Sequence, residues 1–169
     1  MMKKVDPLTL RDLLDWYVAN RTSKLFTDTY RSELEEWPIY FFDELVTVPV
    51  DTSPGHARVT KCWRVWVRDL DCIIFVEAGF EFDWDSVPRW PVVYLLYKGR
   101  IKEEAALHDW LYRYQTACGN PVTWWQAEKA LADAMVIMGR HWFWRLGINT
   151  GTTIGGWIPW LRYKNSLRA

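Results

Sequence analysis

The sequence predicts an α+β fold: a small antiparallel sheet followed by a helical C-terminal half with an antiparallel helix pair, plus an N-terminal helix. Three observations carry that expectation. Apolar residues recur at helical spacing near the start, alternate with a period of two between residues 59 and 76, and return to helical spacing from Lys102 onward. A length of 169 residues suits one domain of this kind. The reading divides the chain into an N-terminal helical extension over residues 1–45 and a single α+β domain over 46–169. Within that domain the sheet occupies 46–80, a motif loop 81–100 and the helices 101–169.

Each element has a local reason. Asp6-Pro7 places an N-cap and a first-turn proline ahead of Leu10, Leu13, Leu14, Tyr17 and Val18, which predicts an amphipathic helix ending near Asn20. Residues 27–51 carry seven acids against the single base Arg31, around the cluster Trp37-Pro38-Ile39-Tyr40-Phe41-Phe42, and read as an exposed acidic connection. Val59, Lys61, Trp63, Val65 and Val67 then alternate with Thr60, Cys62, Arg64, Trp66 and Arg68, and Cys72–Val76 follows the turn Asp69-Leu70-Asp71, which predicts two antiparallel strands. From Lys102 the residues Ala105, Ala106, Asp109 and Tyr112 share a helical stripe. Gly119-Asn120-Pro121 interrupts it, and Thr123 caps a second helix that runs to Met138 and stops at Gly139.

Composition excludes several classes of function. Lys+Arg equals Asp+Glu at 21 each, so no net charge draws the chain to nucleic acid. Cys62, Cys72 and Cys118 form an odd set with no CxxC spacing, which predicts buried reduced thiols rather than a disulfide framework or a zinc ribbon. The first residues contain no apolar signal core, and no stretch approaches the roughly 20 apolar residues of a membrane span, so we expect a soluble chain made in the cytoplasm. The segment 147–156 reads as a glycine-rich loop, but it lacks the lysine of a phosphate-binding loop and follows no predicted strand.

Tryptophan is the unusual residue, at 13 of 169, and its rings need a cover. From Gly139 to the end there are five bases (Arg140, Arg145, Arg162, Lys164, Arg168), no acids, and Trp142, Trp144, Trp157 and Trp160. That segment reads either as a final helix closing the core with a solvated basic rim, or as a cationic aromatic surface able to lie on anionic lipid or acidic protein.

One constellation can carry chemistry. Asp83-Trp84-Asp85-Ser86-Val87-Pro88-Arg89 follows a strand, and His108-Asp109-Trp110-Leu111-Tyr112 lies on the next helix, with His108 and Tyr112 on one face at i and i+4. Glu128 or Asp133 on the second helix can orient the His108 imidazole and stabilise it when protonated. His108, Glu128 and Tyr112 are therefore the candidate catalytic residues, and Asp109, Asp83 and Asp85 the candidate ligands for a hard cation. Pro88 stiffens the loop, and the Arg89 guanidinium can bridge Asp85 and Asp109 in a buried ion pair. The bland alternative is that His108-Asp109 is a buried polar pair locking the helix against this loop. His56 and His141 have no partner at ligand spacing and read as structural or exposed.

Three ordered blocks carry a resemblance: Val76-Glu-Ala-Gly-Phe-Glu-Phe-Asp-Trp-Asp-Ser-Val-Pro-Arg89, Ala105-Ala-Leu-His-Asp-Trp-Leu-Tyr-Arg113, and Gln126-Ala-Glu-Lys-Ala-Leu-Ala-Asp-Ala-Met135. They resemble the phage and prophage domain-of-unknown-function family 1353 over residues 76–145, with Ser86, Val87, Pro88, Arg89, His108, Asp109, Leu111 and Tyr112 matching directly. Phe82 stands where Thr is usual and Glu128 where Asp is usual. The helix pair is also similar to the His-Asp helix of phospholipase A2 enzymes. That similarity implies a His that activates water, an adjacent Asp that binds calcium, and a facing carboxylate that orients the His, although the glycine-rich calcium loop is missing here. The family resemblance implies a bacteriophage gene, often near structural and lysis genes, with no settled activity. With the Trp surplus and the acidic N-terminal and basic C-terminal segments, it leads us to expect a virion protein of the tail, neck or baseplate, working through contacts with other phage structural proteins, with a symmetric oligomer among the arrangements open to it. The competing expectation is a hydrolase of lipid or cell wall, assisted by calcium or zinc, with membrane contact through the basic aromatic C-terminus.

Overall fold

The fold is that of a computed structural model describing residues 34–51, 53, 55–83 and 101–166. The expected helix over 6–20 lies outside the described residues, as do Asp85, Ser86, Pro88 and Arg89. The chain divides into two compact units, Met1–Trp37 and Pro38–Ala169, and every element below belongs to the second.

The architecture is α+β. Strands β1 (Ile39–Phe41), β4 (Trp63–Val67) and β5 (Cys72–Val76) form one antiparallel sheet in the order β1-β4-β5, and β2 (Thr47–Pro49), β3 (His56–Val59) and β6 (Glu81–Asp83) form a second in the order β2-β3-β6. The period-two run from 59 to 67 is not one strand. An unbroken strand would put Lys61 on the same inward face as Val59, Trp63 and Val65, and burying an unpaired ammonium is too costly. The chain instead turns out at Thr60, whose backbone N–H and hydroxyl both donate to Val46 O, and Lys61 and Cys62 are exposed.

Of the expected exposed acidic connection over 27–51, residues 27–33 lie outside the described residues; within the rest the acids Glu35, Glu36, Glu44 and Asp51 are exposed, but apolar residues among them enter the core. Ile39 is fully buried, and Leu45 and Val50 are buried with it. Asp43 accepts both Nε and Nη2 of Arg64 at 2.7 Å, and its carbonyl takes the Trp63 indole N–H at 3.0 Å. A planar guanidinium on a carboxylate in this bidentate form fixes geometry as well as charge, so the acidic segment is pinned to β4.

Helix α1 (Lys102–Tyr114) ends at Gln115, which is left-handed at φ 51°, and the hairpin β7 (Thr116–Ala117)–β8 (Asn120–Pro121) reverses the chain. Cys118 and Gly119 both have positive φ, as a two-residue hairpin turn requires. Thr123 caps α2 (Trp124–Ile137) in a reciprocal box with Gln126, and Gly139 follows its end at φ 69°. The pair is antiparallel: Glu104 meets Arg140, His108 meets Glu128 and Tyr112 meets Trp124. Helices α3 (Trp142–Gly155) and α4 (Trp157–Ser166) complete the fold. The glycine-rich segment 147–156 is thus helical rather than a loop. Glycines in a helix cost roughly 1 kcal/mol each, and tertiary contacts offset that cost: Ile148 is 1% exposed, and Thr152 bonds a buried carboxylate. Among the described residues no helix is long and apolar enough to cross a membrane.

The core joins the inward faces of the two sheets to one face of α1 and α2, with Trp63, Phe82, Leu107 and Leu111 among the sealed side chains. Glu104 is fully buried and held by Arg140 Nε at 2.6 Å. Burial pushes its carboxyl above the ordinary range, against the pull of Arg140. Arg140 is thus a structural partner and not part of a solvated rim.

Cys72 and Cys118 form a disulfide across 46 residues, with Cα atoms 6.0 Å apart. This corrects the expectation of three reduced thiols: an odd count without CxxC spacing says nothing about cysteines brought together by a hairpin packing on a strand. Cys62 alone is free and exposed. Closing a loop of this length is worth up to about 4 kcal/mol by chain entropy. We expect reduction, or Cys118→Ser, to lower the unfolding free energy from urea titration by an amount approaching that figure, and an unchanged free energy would mean that the bond constrains nothing.

Candidate functional site

The first turn of α2 and the middle of α1 meet around one carboxylate. Glu128, 7% exposed, accepts His108 Nε2 at 3.0 Å and the Tyr112 hydroxyl in a short hydrogen bond, both on Oε1. Its Oε2 accepts the hydroxyls of Thr152 at 2.7 Å and Thr153 at 3.4 Å from α3. Tyr112 also accepts the Trp124 indole N–H at 2.8 Å. Three helices therefore converge on a single ionised group, and every contact is a donor aimed at it.

The helical spacing of α1 explains the placement. His108 and Tyr112 sit one turn apart, with ring centroids 4.2 Å from each other, so both reach the same carboxylate. Asp109 projects to one side, as the spacing predicts. Its Oδ2 accepts the backbone N–H of Asp83 in β6 at 2.9 Å, and its Oδ1 stands 3.9 Å from His108 Nδ1, an ion-pair distance rather than a hydrogen bond. Asp109 therefore tethers α1 to the second sheet and also faces the imidazole.

Electrostatics follow from this arrangement. Burial would lower the His108 pKa, but the nearby carboxylate of Asp109 and the hydrogen-bonded carboxylate of Glu128 outweigh it and raise it to about 8. Burial would raise Glu128, and the hydrogen bond and positive charge of His108, with the hydroxyls of Tyr112 and Thr152, outweigh it and hold the carboxyl below its ordinary range. Burial and the Glu128 carboxylate push the Tyr112 phenol well above its usual range, so it stays a donor. An ionised carboxylate accepts only, so Nε2 carries the proton toward Glu128, and neutral His108 keeps its lone pair on Nδ1. The His108 side chain retains about 10% exposure.

Of the expected site residues, the structure brings together His108, Tyr112 and Glu128, with Asp109 alongside and Asp83 touching through its backbone. Asp133 is elsewhere, paired with Lys129 at 2.6 Å, and Lys129 also reaches Asp69 at 2.7 Å. His141 caps α3 and His56 opens β3, both structural placements. Among the described residues no group of three or more His, Cys, Asp or Glu converges as a cation site. The two threonines and Trp124 were missed. The only sequence signal for the threonines was the cluster Thr150, Thr152 and Thr153 in a glycine-rich segment.

The family described as "Protein of unknown function (DUF1353)" matches residues 58–147, just over half of the chain, beginning inside β3 and ending in α3. The chain belongs to that family. No curated protein and no solved structure matches it.

Two outcomes follow. A methyl group at Gly156 would overlap the Tyr112 hydroxyl and Thr152 O, so Gly156→Ala should cost about 1–3 kcal/mol in urea unfolding, and no loss would place α4 farther from Tyr112 than it stands here. Folding raises His108 from 6.5 to about 8, so its stabilisation is complete below pH 6.5 and disappears as pH climbs through 8, a loss of up to about 2 kcal/mol. That decline should be absent from the unfolding free energy of His108→Gln.

Proposed function

We propose that this chain, as a member of its family, is a hydrolase in which His108 acts as general base. The observation that carries the reading is the contact of His108 Nε2 with the ionised Glu128, because it reserves Nδ1 for a proton taken from water. A base needs an orienting group behind it and a lone pair in front, and Glu128 supplies the first while directing the second away from itself. Water loses its proton to Nδ1 as its oxygen bonds to the carbonyl carbon of an ester or amide. The imidazolium then returns that proton to the departing oxygen or nitrogen as the acyl bond breaks. Tyr112, Thr152 and Thr153 are positioning residues, acting through Glu128. The similarity of the His-Asp helix to phospholipase A2 favours an acyl ester of lipid as substrate, with calcium or zinc near Asp109, Asp83 and Asp85 as the accompanying expectation, and cell wall is the second substrate class.

A second reading is a virion structural protein of the tail, neck or baseplate that binds other phage proteins. The observation favouring it is the exposure of large aromatic side chains, with Trp125 at 66% and Trp142 at 63%.

The test is hydrolysis of a phospholipid and a peptidoglycan panel, with and without calcium or zinc. Wild type should release product, and His108→Ala should be slower by about 10²–10⁴-fold. The wild-type rate should climb with pH and level off above about 8, since only neutral His108 is a base, and Glu128→Gln should move that limb to lower pH while lowering the plateau. Wild-type inactivity across both panels would leave the structural reading standing.

A further inference from the structure

We infer that the helices α3 and α4 form a docking surface for an anionic lipid bilayer. On α3 the exposed apolar residues include Trp142, Phe143 and Leu146, and on α4 Trp157, Ile158 and Leu161, each set at the i, i+1, i+4 spacing of one helical face, with Tyr163 also exposed on α4. Trp157 packs against Trp124 with ring centroids 5.4 Å apart, and Trp124 against Trp125 at 4.8 Å, so the α4 stripe continues onto the start of α2 through a ring that is itself 66% exposed. A soluble chain rarely leaves this much aromatic and aliphatic surface in water without a partner.

Charge selects the partner. From Ala134 to Ala169 the chain has no acid, and Arg145, Arg162 and Lys164 accompany the apolar stripes, with Arg162 and Lys164 exposed. Exposed Trp, Leu and Ile beside Lys and Arg, on helices of 14 and 10 residues that are too short to span, is the pattern of helices lying in a headgroup layer. An acidic protein answers the charge, whereas a headgroup layer over hydrocarbon answers both the charge and the exposed apolar side chains of each helix.

An inward-facing side chain of α4 gives the docking a consequence. Trp160, 5% exposed, stands edge-on to Tyr112 at 5.1 Å, and Gln115 donates to Trp160 O at 2.8 Å. The helix that meets lipid is thus also a wall of the Glu128 cluster. If His108 is a general base, as proposed above, this surface assigns it a lipid ester, but the docking itself stands apart from that chemistry.

The full chain is to be mixed with sucrose-loaded vesicles of phosphatidylcholine alone, or with phosphatidylglycerol added, and sedimented. We expect binding to the anionic vesicles with a blue shift of Trp emission, and binding to the neutral vesicles at least about tenfold weaker. Arg162→Glu/Lys164→Glu and Ile158→Ser/Leu161→Ser should each weaken binding by about tenfold or more, with the near-ultraviolet circular dichroism of wild type confirming the fold. The charge variant alters only exposed side chains and serves if the apolar one unfolds. His108→Ala should bind as wild type does, which separates failure of the chemistry from failure of the docking. Equal indifference to both vesicles, or a concentration-dependent oligomer in light scattering that the same substitutions dissolve, would overturn the proposal in favour of a protein partner.

Discussion

The constraint on which the rest depends is the burial of the Glu128 carboxylate. Removing a charge from water costs several kcal/mol unless it is paired and its lone pairs are filled, and Glu128 meets that demand with donors from His108, Tyr112, Thr152 and Thr153. The donors come from α1 and α3, so satisfying one group fixes the positions of two helices against α2. The approach of Gly156 to Tyr112 and the packing of Trp160 on the same ring extend the constraint to α4. Packing alone would hold four helices together in many registers. The carboxylate selects one, and the imidazole orientation follows from it.

The same arrangement divides labour along α1. Its buried stripe of Ala105, Ala106, Leu107 and Leu111 packs on the sheets, Glu104 locks its first turn to Arg140, and Asp109 ties it to the backbone of β6. The disulfide fastens the hairpin after α1 to the start of β5. His108 therefore stands on an element restrained at both ends and along its length, which is what a positioned base needs. A groove of about 500 Å³ between the Glu77–Glu81 turn and Trp110, Arg113 and Tyr114 opens on a different side of α1 and has no link to His108.

Much of the helical half was legible because its signals are local. The capping box at Thr123, the stop at Gly139 and the i, i+4 spacing of His108 and Tyr112 require only neighbours in sequence, and they narrowed the partner of His108 to Glu128 or Asp133, of which the structure selects Glu128. The sheets were harder. One alternating run hid a change of sheet, detectable only by asking where Lys61 would point, and the acidic residues around 27–51 masked an apolar pattern whose burial is decided by β4. The disulfide and the Thr152–Glu128 bond depend on chain segments 46 and 24 residues apart, so neither spacing nor composition could reveal them. Segment 147–156 was misread because glycine content outweighed the helical spacing of its apolar neighbours.

The central claim is that Glu128 holds His108 with its proton on Nε2 and its pKa raised. Imidazole ¹⁵N chemical shifts of selectively labelled protein, followed across pH, measure both at once. The account requires the Nε2–H tautomer in the neutral form and a midpoint near 8, with Glu128→Gln falling well below wild type. A neutral imidazole protonated on Nδ1, or a wild-type midpoint at or below 6.5, would contradict it.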